Sequence, residues 1–301
     1  MIKNQRRAVQ FALVTVVLWS TVATAFKIAL ESAIVQQVVV IASSISLIVL
    51  AILYRYSDNK RSLWQEFSAH PVKYLLSGAI NPVLYYLLLF GAYDRLPAQI
   101  AQPINYTWAI VLALLAAPIL DHKLTKSDGL GLLFCYAGVV ILVTRLDFAT
   151  GNSFDLFGLC LVILSTVFWS VYWLINAKTQ ATAITSIFLC FLCASPWLLI
   201  MTLYFWQDFY FSTGNVLASI YIGLFEMSLS FVFWLKAMNY ATSTAQISSL
   251  VYLSPFLSLF FISQFVGEEI YPTTVLALFV ICLGLIIQKR LGAETRKPSE
   301  S

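Results

Sequence analysis

The chain has 301 residues, 60% of them hydrophobic and 11% charged, with a mean hydropathy of +0.84. A soluble domain carries roughly 25% charged residues, so there is too little polar surface here to cover a water-soluble globule. The net charge of +4 comes from 18 Lys and Arg against 14 Asp and Glu, and it is placed in a way that excludes a nucleic-acid footprint and points to membrane topology.

Apolar stretches recur along the chain at 9–30, 33–55, 72–93, 97–118, 127–145, 156–178, 183–205, 216–240, 244–266 and 273–290. Each suits a helix of about 20 residues crossing a hydrocarbon core of roughly 30 Å. The first invites a rival reading, because Lys3, Arg6 and Arg7 precede it and Ala23-Thr24-Ala25 resembles a signal-peptidase site. Its apolar run from Ala8 to Phe26 is 19 residues, longer than a usual signal core, and it has a partner in the second half, so it is read as a retained span. Connections are short and leave no room for a soluble or nucleotide-binding domain. The residues after Arg290 are polar and read as a disordered tail.

If the spans alternate, 15 of the 18 basic residues fall on one side and only Lys27, Arg95 and Arg145 on the other. By the positive-inside rule this places both termini in the cytoplasm. The five cysteines, Cys135, Cys160, Cys190, Cys193 and Cys282, all lie inside expected spans. Cys190-x-x-Cys193 has no second pair and no nearby His, so the five read as small buried hydrophobes. Neither a metal nor a cofactor is implied.

The two halves resemble each other. Trp19-Ser20 matches Trp169-Ser170; Gly78 and Ala92 match Gly223 and Ala237; Ala98-Gln99-Ile100 matches Ala245-Gln246-Ile247; Gly131 and Gly138 match Ala277 and Gly284. Collinear matches of this kind mark an internal repeat. Five spans per repeat is an odd number, so the second repeat sits inverted relative to the first, as in many secondary transporters. The expected fold is an all-α membrane protein of ten transmembrane helices in two inverted five-helix repeats, 1–148 and 149–290, with a cytoplasmic tail at 291–301.

The arrangement resembles the drug/metabolite transporter superfamily, specifically its EamA-type ten-helix permeases. The likeness rests on the paired five-span units and on Leu96-Pro97-Ala98-Gln99 and Thr244-Ala245-Gln246, each leading into a long apolar span. It also rests on Gly267-Glu268 closing the ninth span and on the glycine-bearing fifth and tenth spans. Two departures stand out: Asp121-His122 replaces the Gly-Glu pair in the first half, and Ser43-Ser44 stands where many relatives carry Arg. The resemblance implies export of amino acids, metabolites or drugs.

Ionisable and polar residues at membrane depth are costly and face the bundle interior or a water-filled cavity. Glu226, near the middle of the eighth span with Gly223 and Ser230 as neighbours, reads as a proton carrier or a counter-charge for a cationic substrate group, against a structural acid hydrogen-bonded to a neighbouring helix. Asn81 holds the related position in the third span, on a face that continues through Tyr85, and is read as its partner across the pseudo-two-fold axis or as interhelical glue. In the fourth span Gln99, Gln102 and Tyr106 form one helical stripe with Asn105 beside it, interrupted by Pro103. Gln246, Ser249 and Tyr252 form the matching stripe in the ninth span. Trp169 and Trp173 lie too deep for an interfacial belt and offer a flat wall for an aromatic or cationic amphiphile, or pack against neighbouring helices; Trp19 shares both readings. Lys27, on the face of Ser20, binds a substrate carboxylate or pairs with an acid, or else snorkels to the outer interface.

These features lead to a secondary transporter working by alternating access on small amphipathic metabolites, such as amino acids, with protons as a coupling ion to be tested. Its partners are a small-molecule substrate and the lipid bilayer; oligomeric state is left open. So compact a chain suits a bacterial inner membrane. An enzyme is not expected, because the spans hold no HExxH, no second acid near Glu226 and no His. A single-chain primary pump would need a GxxxxGK[ST] loop, which is lacking. The competing class is a structural or sensory membrane subunit, which has no use for matched polar stripes at mid-depth.

Overall fold

The computed structural model describes residues 3–57, 62–120, 126–150, 155–176, 182–242, 246–247 and 250–295, and among these no strand occurs. Asp121, His122, Thr244, Ala245, Ser249 and residues 296–301 lie outside the described residues.

Helix α1 (Gln5–Leu30) starts where the Asn4 side chain accepts the Arg7 backbone N–H at 3.1 Å, a cap that sets the start ahead of the apolar run. Helix α2 (Val35–Arg55) returns, and a short helix α3 (Leu63–Ala69), not expected from hydropathy, precedes α4 (Pro71–Gly78). The single span expected over 72–93 is broken at Asn81, whose φ of −132° and ψ of 118° are extended, and helix resumes as α5 (Tyr85–Arg95). Pro82 is the physical reason: it lacks an N–H and crowds the residue before it out of the helical region. The span expected over 97–118 is likewise two helices, α6 (Ala98–Asn105) and α7 (Trp108–Leu120), meeting at Tyr106-Thr107.

The chain continues through α8 (Lys126–Thr150), α9 (Leu156–Asn176) and α10 (Ala183–Phe205). Ser212 and Asn215 form a reciprocal capping box for α11 (Thr213–Tyr221). A wide, π-helical stretch over Ile222–Leu229 links α11 to α12 (Ser230–Tyr240). Leu250–Leu253 is a tight 3₁₀ turn leading into α13 (Ser254–Phe261), and the following wide turn stops at Gly267, whose φ of 76° favours a residue without Cβ. Helix α14 (Pro272–Thr295) passes the expected limit at 290, so the tail expected to be disordered is helical over 291–295. No glycine pair or proline interrupts it before Pro298.

Among the described residues six segments are long and apolar enough to cross a membrane: Gln5–Leu30, Val35–Arg55, Pro71–Arg95, Leu156–Asn176, Ile184–Asp208 and Thr213–Tyr240. Asp128–Val143, Leu250–Val266 and Pro272–Gln288 are apolar but shorter. The outer faces carry exposed Leu13, Val14, Val17, Leu132, Leu133, Leu199 and Leu203, the inverse of a soluble surface and suited to lipid. Exposed Tyr204, Trp206, Tyr210 and Phe211 gather at one end and Tyr56 and Trp64 at the other, as aromatic belts do. This is a multi-pass membrane protein.

The helices pack reciprocally. α1 lies against α11 and α12, while α9 lies against α4 and α5; α2 meets the wide turn at 222–229, while α10 meets the broken turn at 79–84. α8 and α14 form the most extensive pair, along a glycine seam: a Cβ on Gly138 would stand 2.5 Å from Ile281 Cγ1, and one on Gly284 would stand 2.8 Å from the Gly131 carbonyl. Such seams let backbones approach where no hydrophobic force drives helices together. Gly223 serves the same end at α2, where a Cβ would collide with the Ala42 carbonyl, and Gly78 at α10, where it would stand 2.6 Å from the Cys190 carbonyl.

Two ends of the bundle can be told apart by hydrogen bonds. At one, Ser32 meets Ser212 and the Glu268 carboxylate meets the start of α6. At the other, Asn4 N donates to the Tyr240 carbonyl at 2.8 Å, and Gln5 Oε1 accepts from Thr242. These are called the Glu268 end and the Gln5 end.

Candidate functional site

A cavity of about 390 Å³ lies among α1, α5, α6, α7, α9, α12 and the Leu250–Leu253 turn. Its wall is mostly aromatic: Trp19, Phe26, Tyr85, Tyr93, Tyr106, Trp108, Trp169, Trp173, Phe231, Trp234 and Tyr252 all contribute. Gln102, Asn105 and Glu226 supply the other polar side chains. Small, mostly apolar cavities with a few convergent polar groups are the usual form of a ligand site.

The aromatic wall is ordered by ring contacts centred on Trp169, which is buried. Trp169 stacks on Tyr85 at 4.5 Å between centroids and on Tyr172 at 5.5 Å, and meets Trp108 and Trp173 edge to face at 6.4 and 5.9 Å. Trp173 in turn stacks on Trp108 at 6.5 Å. On the facing side Trp19 packs against Trp234 at 5.6 Å and Phe231 at 6.4 Å. The sequence-matched pair Trp19 and Trp169 thus stand on one cavity, each also packed against neighbouring rings.

Glu226 reaches the cavity from the wide turn at 222–229. There the helical ladder is loosened, and serine hydroxyls take the displaced carbonyls: Ser228 Oγ donates to the Gly223 carbonyl at 2.7 Å, and Ser230 Oγ to the Phe225 carbonyl. Ser228 and Ser46 are joined at 2.8 Å, and Ser46 donates to the Met227 carbonyl at 3.0 Å, fixing the turn to α2. Wide turns of this kind recur at functional sites because they re-aim a side chain. The Glu226 carboxylate accepts one hydrogen bond, from the Tyr86 hydroxyl at 3.3 Å. Tyr86 was not singled out by the sequence, although it sits beside Tyr85 on the face that was.

The fourth-span stripe divides. Gln102, Asn105 and Tyr106 line the cavity. Asn105 Nδ2 donates to Ser165 Oγ at 3.1 Å and its Oδ1 accepts the Tyr85 hydroxyl at 3.5 Å, while the Tyr106 hydroxyl donates to Ser254 Oγ at 2.9 Å. Gln102 is buried, and its Oε1 accepts no hydrogen bond from the described residues. Gln99 is not part of the wall. Its Nε2 donates to the Glu269 carbonyl at 2.8 Å, and its Oε1 accepts from Thr274 Oγ1 at 2.9 Å and the Tyr271 N–H at 3.4 Å. Beside it the Glu268 carboxylate accepts the Ala98 and Gln99 backbone N–H groups at 2.7 and 3.1 Å, a charge on the free amides of a helix start. This clasp joins residues some 170 positions apart and no sequence signal announced it.

Of the other expected residues, Tyr252 lines the cavity and Gln246 does not: Gln246 is exposed at the Gln5 end, accepting from Gln5 Nε2 at 3.1 Å. Asn81 is buried at the break between α4 and α5, with its Oδ1 unpaired among the described residues, and it is not among the residues that line the cavity. Lys27 Nζ donates to the Tyr93 and Leu96 carbonyls at 2.9 and 3.3 Å, tying α1 to the α5–α6 turn. Trp108, Phe231 and Trp234 were missed; Trp234 stands two turns from Glu226 through Ser230, a spacing that signals a shared face. Among the described residues no three His, Cys, Asp or Glu side chains come together as a metal site would require.

Comparison with known proteins agrees with this architecture. An uncharacterized transporter of Clostridium kluyveri is 26% identical over 56% of this chain and 56% of its own length. An uncharacterized transporter of Acidianus ambivalens, encoded in a sor 3′ region, is 27% identical over 55% of this chain and 63% of its own length. The matched stretch thus spans little more than half of these relatives. A known crystal structure superposes with a TM-score of 0.66 at 20% identity, covering 98% of this chain and all of that one, which establishes a shared fold. The sequence pattern of the EamA-like transporter family fits twice, over residues 6–144 and again over 156–288, and the chain belongs to that family.

Proposed function

We propose that the protein is a secondary transporter that moves a small amphipathic metabolite through the aromatic cavity by alternating access. The observation that carries this reading is one cavity lined from both family-matched segments, 6–144 and 156–288, with a membrane-depth carboxylate in its wall. On this reading the ten helical passes form two inverted repeats, 1–148 and 149–290, with both termini cytoplasmic. The reciprocal packing of α1 on α11–α12 and of α9 on α4–α5 supports it, as does the broken helix at Asn81, since discontinuous helices border the sites of many transporters.

The Glu268 end then faces away from the cytoplasm. There the Glu268–α6 clasp and the Lys27 contacts hold the helices together, while the sequence-matched Gln246 at the Gln5 end is exposed. Transport requires the clasp to open and an equivalent contact to form at the other end. Glu226 serves as counter-charge to the substrate or carrier of a coupled proton, exported substrates leaving with or against the proton gradient. A bacterial inner membrane is the proposed location.

The test is isotope counterflow in proteoliposomes, with an imposed pH gradient as a second arm. Counterflow that depends on Glu226 supports the transporter reading, and loss of gradient dependence in Glu226→Gln assigns the coupling to this residue. Absence of both activities for every amphipathic compound tried favours a structural or sensory subunit.

A further inference from the structure

We infer that the cavity selects organic amines, cations with an aromatic or apolar body and no carboxylate, over amino acids and organic anions. This deepens the transporter reading and rests on it.

Charge is the first argument. Among the described residues Glu226 is the only carboxylate in the cavity wall, and no Lys, Arg or His lines it. The wall is otherwise aromatic, and ring faces attract cations and repel anions. An acid facing such a wall without a base is set up for a substrate that brings its own positive charge.

Hydrogen-bond capacity is the second. Among the described residues the Glu226 carboxylate accepts a single hydrogen bond, from Tyr86. Gln102 Oε1, buried and on the same cavity, accepts none. Buried acceptors are rarely left unpaired, and an ammonium carries up to three donors and no acceptor. The free capacity of the wall and the needs of the ligand therefore match in sign and kind.

The third argument removes the alternative. A zwitterionic amino acid needs a partner for its carboxylate as well as its ammonium. Near the cavity two groups are suited to that task, and both are already engaged. Lys27 Nζ is held by the Tyr93 and Leu96 carbonyls. The free amides at the start of α6 are capped by Glu268. What remains for a carboxylate is neutral: the hydroxyls, the indoles and the Gln102 amide N–H groups of the wall, with no cationic partner among the described lining residues.

The cavity volume of about 390 Å³ suits a compound with one or two rings. Trp169 and Trp173, edge to face, offer a corner for the ring or for the alkyl groups of a substituted ammonium.

The test uses three compounds with one body and three heads: 2-phenylethylamine, phenylalanine and 3-phenylpropanoate. Binding to the purified full chain in lipid nanodiscs is measured by calorimetry near neutral pH, and counterflow of each compound in proteoliposomes. The amine is expected to bind about tenfold or more tighter than phenylalanine, the worth of one charge-assisted contact, and the propanoate not to saturate. Glu226→Gln is expected to weaken amine binding by a similar factor, and Trp173→Leu, at a half-exposed position, by a smaller one. Should Glu226→Gln fail to fold, the order of the three ligands on the wild-type chain and the Trp173→Leu result decide. Phenylalanine or propanoate binding as tightly as the amine, unchanged binding in Glu226→Gln, or no binding of any of the three overturns the inference. Amine binding without counterflow sinks the transporter reading and leaves the cavity's chemistry standing. Counterflow of phenylalanine alone does the reverse.

Discussion

Gln99 and Gln102 stand one turn apart on α6, and their surroundings are opposite. Around Gln99 both ends of the amide are engaged, by the Glu269 carbonyl, the Thr274 hydroxyl and the Tyr271 N–H, and Glu268 caps the helix start beside it. Around Gln102 there is a cavity, and its Oε1 meets no partner. An acceptor that lines a cavity can be completed by water or by a ligand, without help from a neighbouring helix. A polar stripe at membrane depth can thus contain two different things: a side chain that holds helices together, and one kept free for a ligand. Periodicity places both on one face, and only the inventory of partners separates them.

Substitutions at these positions test the contrast. The largest effect is expected in the cavity: Glu226→Gln should reduce amine counterflow by about tenfold or more, the scale of losing one charge-assisted hydrogen bond, with the folded protein retained in size-exclusion chromatography. Next comes Gln99→Leu, which strands the Glu269 carbonyl, the Thr274 hydroxyl and the Tyr271 N–H. A loss of about 2 kcal/mol in stability is expected, read as a lowered midpoint of thermal unfolding in detergent. Gln102→Leu is the contrasting case. It removes an acceptor that has no partner in the protein, so stability should change by less than about 0.5 kcal/mol, while amine binding weakens. If Gln102→Leu destabilises as much as Gln99→Leu, the two residues are alike and the comparison collapses.

The smallest effect is expected at the rim of the Glu268 end. The Gly158 backbone N–H holds the Asp155 carboxyl below the usual carboxylate range, with Arg95 adding to it. A depressed carboxylate stabilises the fold at pH above its unfolded value, about 4, and loses that contribution as pH falls through its lower folded value. Acid titration of thermal stability should therefore show a slight component below about pH 4 that disappears in Asp155→Asn. A component that rises with acidification would contradict the assignment.

Hydropathy made the helical passes legible, because lipid demands long apolar runs and leaves few alternatives. Pro103 announced an interruption and Pro82 went unread, yet the structure parts α4 and α5 at Asn81, just before Pro82, while Pro103 remains inside α6. Trp19, Trp169, Trp173 and Glu226 were readable as a cavity group from depth and residue type. Gln99 was not, because its partners sit in a turn far away in sequence. Gln246 matches Gln99 in the repeat but is exposed and bonded to Gln5; a sequence repeat is symmetric, whereas any one conformation of two rocking units need not be. Lys27 was readable as a ligand for a substrate carboxylate, a partner for an acid or a snorkelling side chain, whereas its contacts with the Tyr93 and Leu96 carbonyls carry no sequence signal.

The measurement that most directly tests the central claim, that the aromatic cavity is the substrate path, is thiol accessibility at these two glutamines. Cys would be introduced at Gln102 and, separately, at Gln99, in a chain whose five native cysteines are replaced. A water-soluble cationic thiol reagent should modify Gln102→Cys from the cavity, an anionic one should modify it far more slowly, and a transported amine should protect it; Gln99→Cys should resist both. Equal labelling at the two positions, or labelling at Gln102→Cys that neither reagent charge nor substrate alters, would contradict the account.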